Sequence, residues 1–398
     1  MLTSLAILFL CGFSVAEIFR RLKLPRVVGM LLSGIILGPF VLDLLDPTIL
    51  GISAELRKIA LIIILIKAGL SLDIKDLKKV GRPAVLLSFL PAVFEIIACV
   101  IFAPLFLEVS RTEAALIGAV LGAVSPAVVV PKMVQLMDKN IGTNKSIPQL
   151  ILAGASLDDV FVIVLFTAFL GMVQGNGISV LEFVDIPVSI ILGTLAGITC
   201  GFIIYLVYKL FNKIGGNIRN TALVIVILSF GFLLNTLEAV AEKYVAISGM
   251  LAVISMACVI KIKADNTIVN KLAESYGNIW IAAEVILFVL IGAAVNIRYT
   301  FGAGGKALLL ILTALVFRSV GVAVSLIGTE LNAKERLFCV IAYLPKATVQ
   351  AAIGGVPLAL GLDCGEIVLS VAVLSILITA PLGAIGMDIT DKKLLDKC

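Results

Sequence analysis

The sequence predicts an all-α polytopic membrane protein, and three observations carry that prediction. Of 398 residues, 61% are hydrophobic and only 14% are charged, with a mean hydropathy of +1.18; no soluble core encloses that much apolar surface. The apolar runs are about 17 to 28 residues long, the length a helix needs to cross roughly 30 Å of hydrocarbon. The alternating ten-residue segments of barrel strands are absent. No loop is long enough to hold a soluble domain, so residues 1–398 read as a single membrane domain.

Thirteen spans are expected, at about 2–20, 26–44, 56–72, 83–107, 113–136, 147–173, 184–211, 219–238, 244–262, 277–297, 305–328, 335–360 and 364–386. Span one is a membrane helix and not a cleaved signal peptide, because nothing basic precedes it while Arg20, Arg21, Lys23 and Arg26 follow it. Span three carries Lys67 towards its cytoplasmic end, where a long side chain can snorkel, and span four carries Glu95. Span five is interrupted in "LGAVSPAVVVPKM" by Pro126 and Pro131 and cannot run as an unbroken helix; its Lys132 can also snorkel. Span six contains "LILAGASLDDVFVIVLFTAFLG", with Asp158 and Asp159 adjacent.

Span seven, 184–211, is a connector, and spans eight and nine carry no special signal. Span ten holds Glu284 a few residues from its cytoplasmic start, a place for lining a vestibule or snorkelling and not for the central site. Span eleven carries Arg318. Span twelve is interrupted in "AYLPKATVQAAIGGVP" by Pro345 and Pro357, with Lys346 at the break, and span thirteen closes the set.

Alternating the loops between two sides places 21 Lys and Arg on the side of the C-terminus and 6 on that of the N-terminus. The positive-inside rule then puts the N-terminus outside and the C-terminus in the cytoplasm of a multi-pass protein of the cell's inner (plasma) membrane. The net charge of +5 is mostly this topology signal. No basic stripe interleaved with aromatics suggests nucleic acid. The seven cysteines are scattered without a CxxC, and there is no histidine, so no resident metal or other cofactor is expected. Protons near neutral pH fall to carboxylates or lysine.

The two interrupted spans are seven apart among thirteen. Spans one to six (1–173) therefore correspond to spans eight to thirteen (219–386), and because seven is odd the two repeats are inverted. Gly/Pro-interrupted segments at matching positions of inverted halves point to a transporter's binding site.

Each charge near the bilayer centre costs about 3 kcal/mol unless paired or facing water. Asp158 and Asp159 lie about eleven residues into span six, roughly 17 Å along the helix and close to the midplane. Adjacent residues point about 100° apart, so one carboxylate can face a water-filled cavity while the other turns to a neighbouring helix. Such a pair titrates as one system and can hold a proton or a small hard cation in turn. Ser125, Ser156 or Thr348 and freed backbone carbonyls can add oxygen ligands. Glu95 and Arg318 occupy matching spans and are expected to form a buried ion pair. Two roles fit Lys346: balancing half-helix carbonyl ends at the break, or a proton-linked partner for Asp158 or Asp159.

In order along the chain, "LPRVVGMLLSGIILGP", "LGAVSPAVVVPKM", "GASLDDV" and "LPKATVQAAIGG" resemble the sodium/proton antiporters of the cation/proton antiporter superfamily, in the NHA-type, double-aspartate branch. The resemblance covers nearly the whole chain. It implies an NhaA-like antiporter fold of crossing interrupted helices, and a homodimer with a core of spans four to six and eleven to thirteen. That core would carry the ion past a scaffold by an elevator-like movement. It further implies that Asp159 is the principal carboxylate, holding Na⁺ (or Li⁺) and H⁺ alternately, with Asp158 its supporting partner. Many bacterial double-aspartate antiporters place a lysine where this chain has Arg318; because an arginine is effectively never deprotonated, a ratio of two protons per cation does not carry over.

Other classes fare worse. An intramembrane aspartyl protease needs aspartates facing each other from separate helices, and GxGD is absent. No nucleotide is expected, since GxxxxGK[ST] is absent. A cation channel or a sodium-coupled organic-anion symporter also fits interrupted helices.

Overall fold

The computed structural model describes residues 1–22, 24–71, 81–175, 180–213, 219–241 and 247–396. All regular elements among them are helices, and eight are long and apolar enough to cross a membrane. The five other expected spans fall short of that measure for identifiable reasons, as the two units below show. By internal contacts the chain divides into a larger unit (Met1–Arg57, Asp73–Val173 and Val285–Cys398) and a smaller one (Lys58–Leu72 and Gln174–Glu284).

In the larger unit, α1 (Leu2–Arg21) lies against α2 (Arg26–Leu37). Span two, expected to reach residue 44, stops at Leu37 because Gly38 precedes Pro39, whose ring disfavours helical backbone at the residue before it. A short α3 (Pro47–Gly51) follows, N-capped by Asp46, which accepts from the Thr48 N–H at 2.8 Å. Hydrogen bonds from the Thr48 hydroxyl and N–H hold this carboxyl down at about 2. Its capping contribution is therefore present above the ordinary aspartate range and is lost only as the pH falls through the folded value. Span three is α4 (Ser53–Ser71), which passes into the smaller unit and carries Glu55, Arg57, Lys58 and Lys67.

Span four is α5 (Arg82–Leu87) and α6 (Leu90–Leu107), kinked at Ser88 and Phe89. Pro91 has no N–H to return to Leu87 and so releases that turn. Span five is α7 (Arg111–Leu121) and α8 (Pro126–Asp138), and span six is α9 (Ile147–Gln174). Span eleven is α14 (Ile297–Ser325). Span twelve is α15 (Ala333–Ala342), α16 (Thr348–Gly354) and α17 (Val356–Ala359), and α18 (Gly365–Leu394) completes the unit.

Both broken spans open with the same device. Ser110 and Glu113 form a capping box at the start of α7, and Asn332 and Glu335 form one at the start of α15. Each satisfies two orphan N–H groups at the end where the half-helix begins.

The smaller unit holds α10 (Val180–Lys213), α11 (Asn220–Ala241), α12 (Gly249–Lys263) and most of α13 (Asn266–Ala293). Span nine, α12, has 15 residues; the expected positions 244–246 lie outside the described residues. Its backbone is met by glycines spaced four apart on α10. A Cβ at Gly193, Gly197 or Gly201 would lie 2.4, 2.1 or 2.6 Å from the carbonyl oxygens of Ser248, Ala252 and Met256. Small residues at this interval let two membrane helices approach backbone to backbone. Gly197→Leu is accordingly expected to cost about 3 kcal/mol or more, read as a lowered melting temperature and lost monodisperse protein in detergent. Gly277→Ala, with open space at its Cβ, serves as the neutral control.

The described cysteines are free thiols. Lys67 sets its ammonium 5.8 Å from the Trp280 ring centroid, an amphipathic contact that accompanies its partial burial.

Candidate functional site

The breaks in spans five and twelve meet. The Ser125 N–H donates to the Pro345 carbonyl at 2.8 Å, so the two non-helical stretches are hydrogen-bonded to each other in the larger unit. Each break frees carbonyls at the end of the preceding half-helix, and in hydrocarbon such groups need partners. Those at the end of α7 are met by side chains from α14, from α16 and from the break in span twelve itself. Lys346 Nζ donates to the Leu121 carbonyl, Arg318 donates to that of Gly122, and Gln350 Nε2 donates to that of Ala123 at 2.8 Å. Across the other break, Arg318 Nε donates to the Tyr343 carbonyl at 2.6 Å. The N–H groups of Lys346 and Ala347 donate to Thr379 Oγ1 at 2.9 Å and Gln350 Oε1 at 2.8 Å.

Four fully buried charges occupy this crossing. Arg318 binds Glu95 Oε2 at 2.8 Å and Asp158 Oδ2 at 3.1 Å, and Lys346 binds Glu95 Oε1 at 2.7 Å. Asp158 Oδ2 also accepts the Val124 N–H at 2.7 Å. The expected Glu95–Arg318 pair is therefore present, but it is part of a cluster. Lys346 both meets a carbonyl end, one of its two anticipated roles, and shares Glu95 with the arginine. Two cations and two anions balance.

Asp159 is the fifth charge, with no cation matched to it among the described residues. It is 9% exposed where Asp158 is 0% exposed, and its Oδ1 has no hydrogen-bond partner among the described residues. The 100° between neighbours on α9 thus turns one carboxylate to the arginine and leaves the other outside that pairing. A negative charge buried without a counter-charge is strongly disfavoured; occupancy by one positive charge, a proton or a metal cation, relieves it.

Oxygen donors stand nearby. Ser125 is the N-cap of α8, but its side chain caps nothing: Oγ is fully buried and has no partner among the described residues. Asp158 Oδ1 is likewise without one. Thr348 opens α16 at the same crossing and is 3% exposed. The Ser156 side chain lies outside the described residues. Lys132, expected to snorkel, binds Asp388 at 2.6 Å and Asp391 at 2.8 Å, tying α8 to α18. Gln350, Tyr343 and Thr379 are additions to the expected set; their neutral side chains carry no cost inside a membrane large enough to single them out.

The family described as "Sodium/hydrogen exchanger, transmembrane" matches residues 5–389. Among curated proteins, the sodium/hydrogen exchanger 9B2 of Xenopus tropicalis is 34% identical, over 99% of this chain and 74% of its own length. Its counterpart in Homo sapiens is 32% identical, over 100% and 75%. Among solved structures, the sodium proton antiporter MjNhaP1 from Methanocaldococcus jannaschii at pH 8 superposes with a TM-score of 0.81, covering 99% of this chain and 98% of its own, at 22% identity. That likeness is one of fold.

Proposed function

Because the chain belongs to the sodium/hydrogen exchanger family, we propose that it exchanges Na⁺ (or Li⁺) for H⁺ across the membrane, with the two ions competing for Asp159. The observation that carries this reading is the charge balance at the crossing. Glu95, Asp158, Arg318 and Lys346 neutralise one another, and Asp159 is left needing one positive charge at a time. Asp158 supports it, since its Oδ2 is committed to Arg318 while Oδ1 is open. Ser125, Thr348 and Ser156 supply neutral oxygens. Because Arg318 keeps its proton, it serves as a fixed counter-ion and not as a carrier.

Alternating access is assigned to an elevator-like movement of a core made of spans four to six and eleven to thirteen, within a homodimer. The N-terminus lies outside and the C-terminus in the cytoplasm. What supports the core assignment is that the site's hydrogen bonds and ion pairs join those spans to one another.

In proteoliposomes with an imposed proton gradient, added Na⁺ or Li⁺ is expected to dissipate the gradient. Competition sets the pH dependence: protons occupy the carboxyl as the pH falls, so the apparent KM for Na⁺ rises on the acid side, by up to about tenfold per pH unit, by mass action. Current without obligatory exchange would indicate a channel, and a requirement for an organic anion would indicate a symporter; either outcome overturns the reading.

A further inference from the structure

One buried oxygen at the crossing has no part in the scheme above. Tyr343 is the C-cap of α15 and is 0% exposed, and its hydroxyl has no hydrogen-bond partner among the described residues. Burying a hydroxyl in that state is costly, and packing alone is served better by phenylalanine. The ring is held in place from two directions. Its own carbonyl accepts from Arg318 Nε at 2.6 Å, and the Arg318 guanidinium lies 5.8 Å from the ring centroid, a cation–π contact.

The hydroxyl is directed at Gly154. A Cβ there would lie 2.1 Å from Oη, so only glycine admits the oxygen at this point of α9. Gly154 is one helical turn before Asp158, and residues four apart share a helix face. The hydroxyl lies within electrostatic reach of both Asp158 and Asp159. Like Ser125 Oγ, Asp158 Oδ1 and Asp159 Oδ1, it is a buried oxygen without a hydrogen-bond partner among the described residues.

We propose that Tyr343 Oη is an oxygen ligand of the transported cation, held directly or through one water, and that Gly154 is the seat that admits it. This rests on the exchange reading above and extends its site. A hard cation stripped of water needs several oxygens around it. A phenol hydroxyl supplies a lone pair without a charge, so it can discriminate between cations by distance while leaving the charge balance at Asp159 unaltered.

The test is Tyr343→Phe, which keeps the ring, its carbonyl and the cation–π contact. The expected result is a wild-type melting temperature without cation, a rise of about five- to thirty-fold in the apparent KM for Na⁺, a maximal rate changed far less, and an altered Na⁺/Li⁺ preference. The Na⁺-induced rise in melting temperature should shrink with the same loss of affinity. A packing role alone would lower the melting temperature and leave the Na⁺/Li⁺ ratio where it was. Gly154→Ala should raise KM in the same way, but add little to it when combined with Tyr343→Phe; strain against Leu87 Cβ, 2.9 Å from the new methyl, would show in melting and not in KM. Unchanged Na⁺ and Li⁺ constants in Tyr343→Phe, with wild-type flux still abolished by Asp159→Asn, overturn the ligand role alone. Absence of wild-type flux overturns the exchange reading, and the ligand role is then decided by the Na⁺-induced melting shift, which must fall in Tyr343→Phe.

Discussion

Asp159→Asn is expected to abolish cation-dependent proton flux, by at least about a hundredfold, while leaving the protein as stable as the wild type or more so. The carboxamide has the shape of the carboxylate but can neither release a proton near neutral pH nor offset a cation's charge. Stability should survive because, among the described residues, Asp159 Oδ1 makes no hydrogen bond and no cation is paired with the group, so the substitution removes a buried unmatched charge without breaking an ion pair. Asp158→Asn should behave differently. It takes away one partner of Arg318 and weakens the acceptor of the Val124 N–H, so its loss of flux should come with a lower melting temperature. The pair of variants separates an ion-binding carboxylate from a positioning one, with flux measured in proteoliposomes and melting measured on the same preparations. Full-rate Na⁺-coupled proton movement by Asp159→Asn would remove the basis of the proposed function.

Much of the architecture was legible because membranes punish exceptions. Prolines 126 and 345 each lack an N–H in a segment that has no water to compensate, and the breaks fall where those residues stand. Charged residues inside apolar runs likewise announce themselves, and Glu95, Asp158, Asp159, Arg318 and Lys346 stand out on that ground alone. The sequence was a poorer guide wherever backbone atoms act. Arg318 meets the carbonyls of Gly122 and Tyr343 as well as two carboxylates, and a carbonyl has no letter of its own. Tyr343, Gln350 and Gly154 are ordinary in composition and significant only by placement. The shortness of α2 had a visible cause in Gly38–Pro39, and the two capping boxes had visible signatures in S-x-x-E and N-x-x-E. An apolar run of adequate length outweighed these local signals.

Arg318→Met should be the most damaging single change to folding, because the guanidinium is the hub of the crossing. Methionine keeps much of the volume but leaves Asp158 buried without its cation, Glu95 with Lys346 alone, and two carbonyls without their donor. Breaking a buried pair from one side costs about 3–5 kcal/mol, and each stranded carbonyl adds about 1–3. The sum approaches the whole stability of a typical domain, so loss of monodisperse protein is expected. Arg318→Lys should recover only part, since an ammonium on a flexible stem lacks the planar fork that reaches acceptors on α6, α7, α9 and α15 at once. The Glu95–Lys346 pair offers the informative contrast. Glu95→Gln strands positive charge on Arg318 and Lys346, Lys346→Met strands part of Glu95, and the double substitution removes one charge of each sign. If the cluster is held by charge balance, the double variant should melt above Glu95→Gln alone, a coupling of about 1–3 kcal/mol in a double-mutant cycle. Additive losses, or an Arg318→Met protein that melts like the wild type, would mean that the packing of the helices and not this neutral set of four holds the crossing together, and Asp159 would no longer be distinguished as the charge left over.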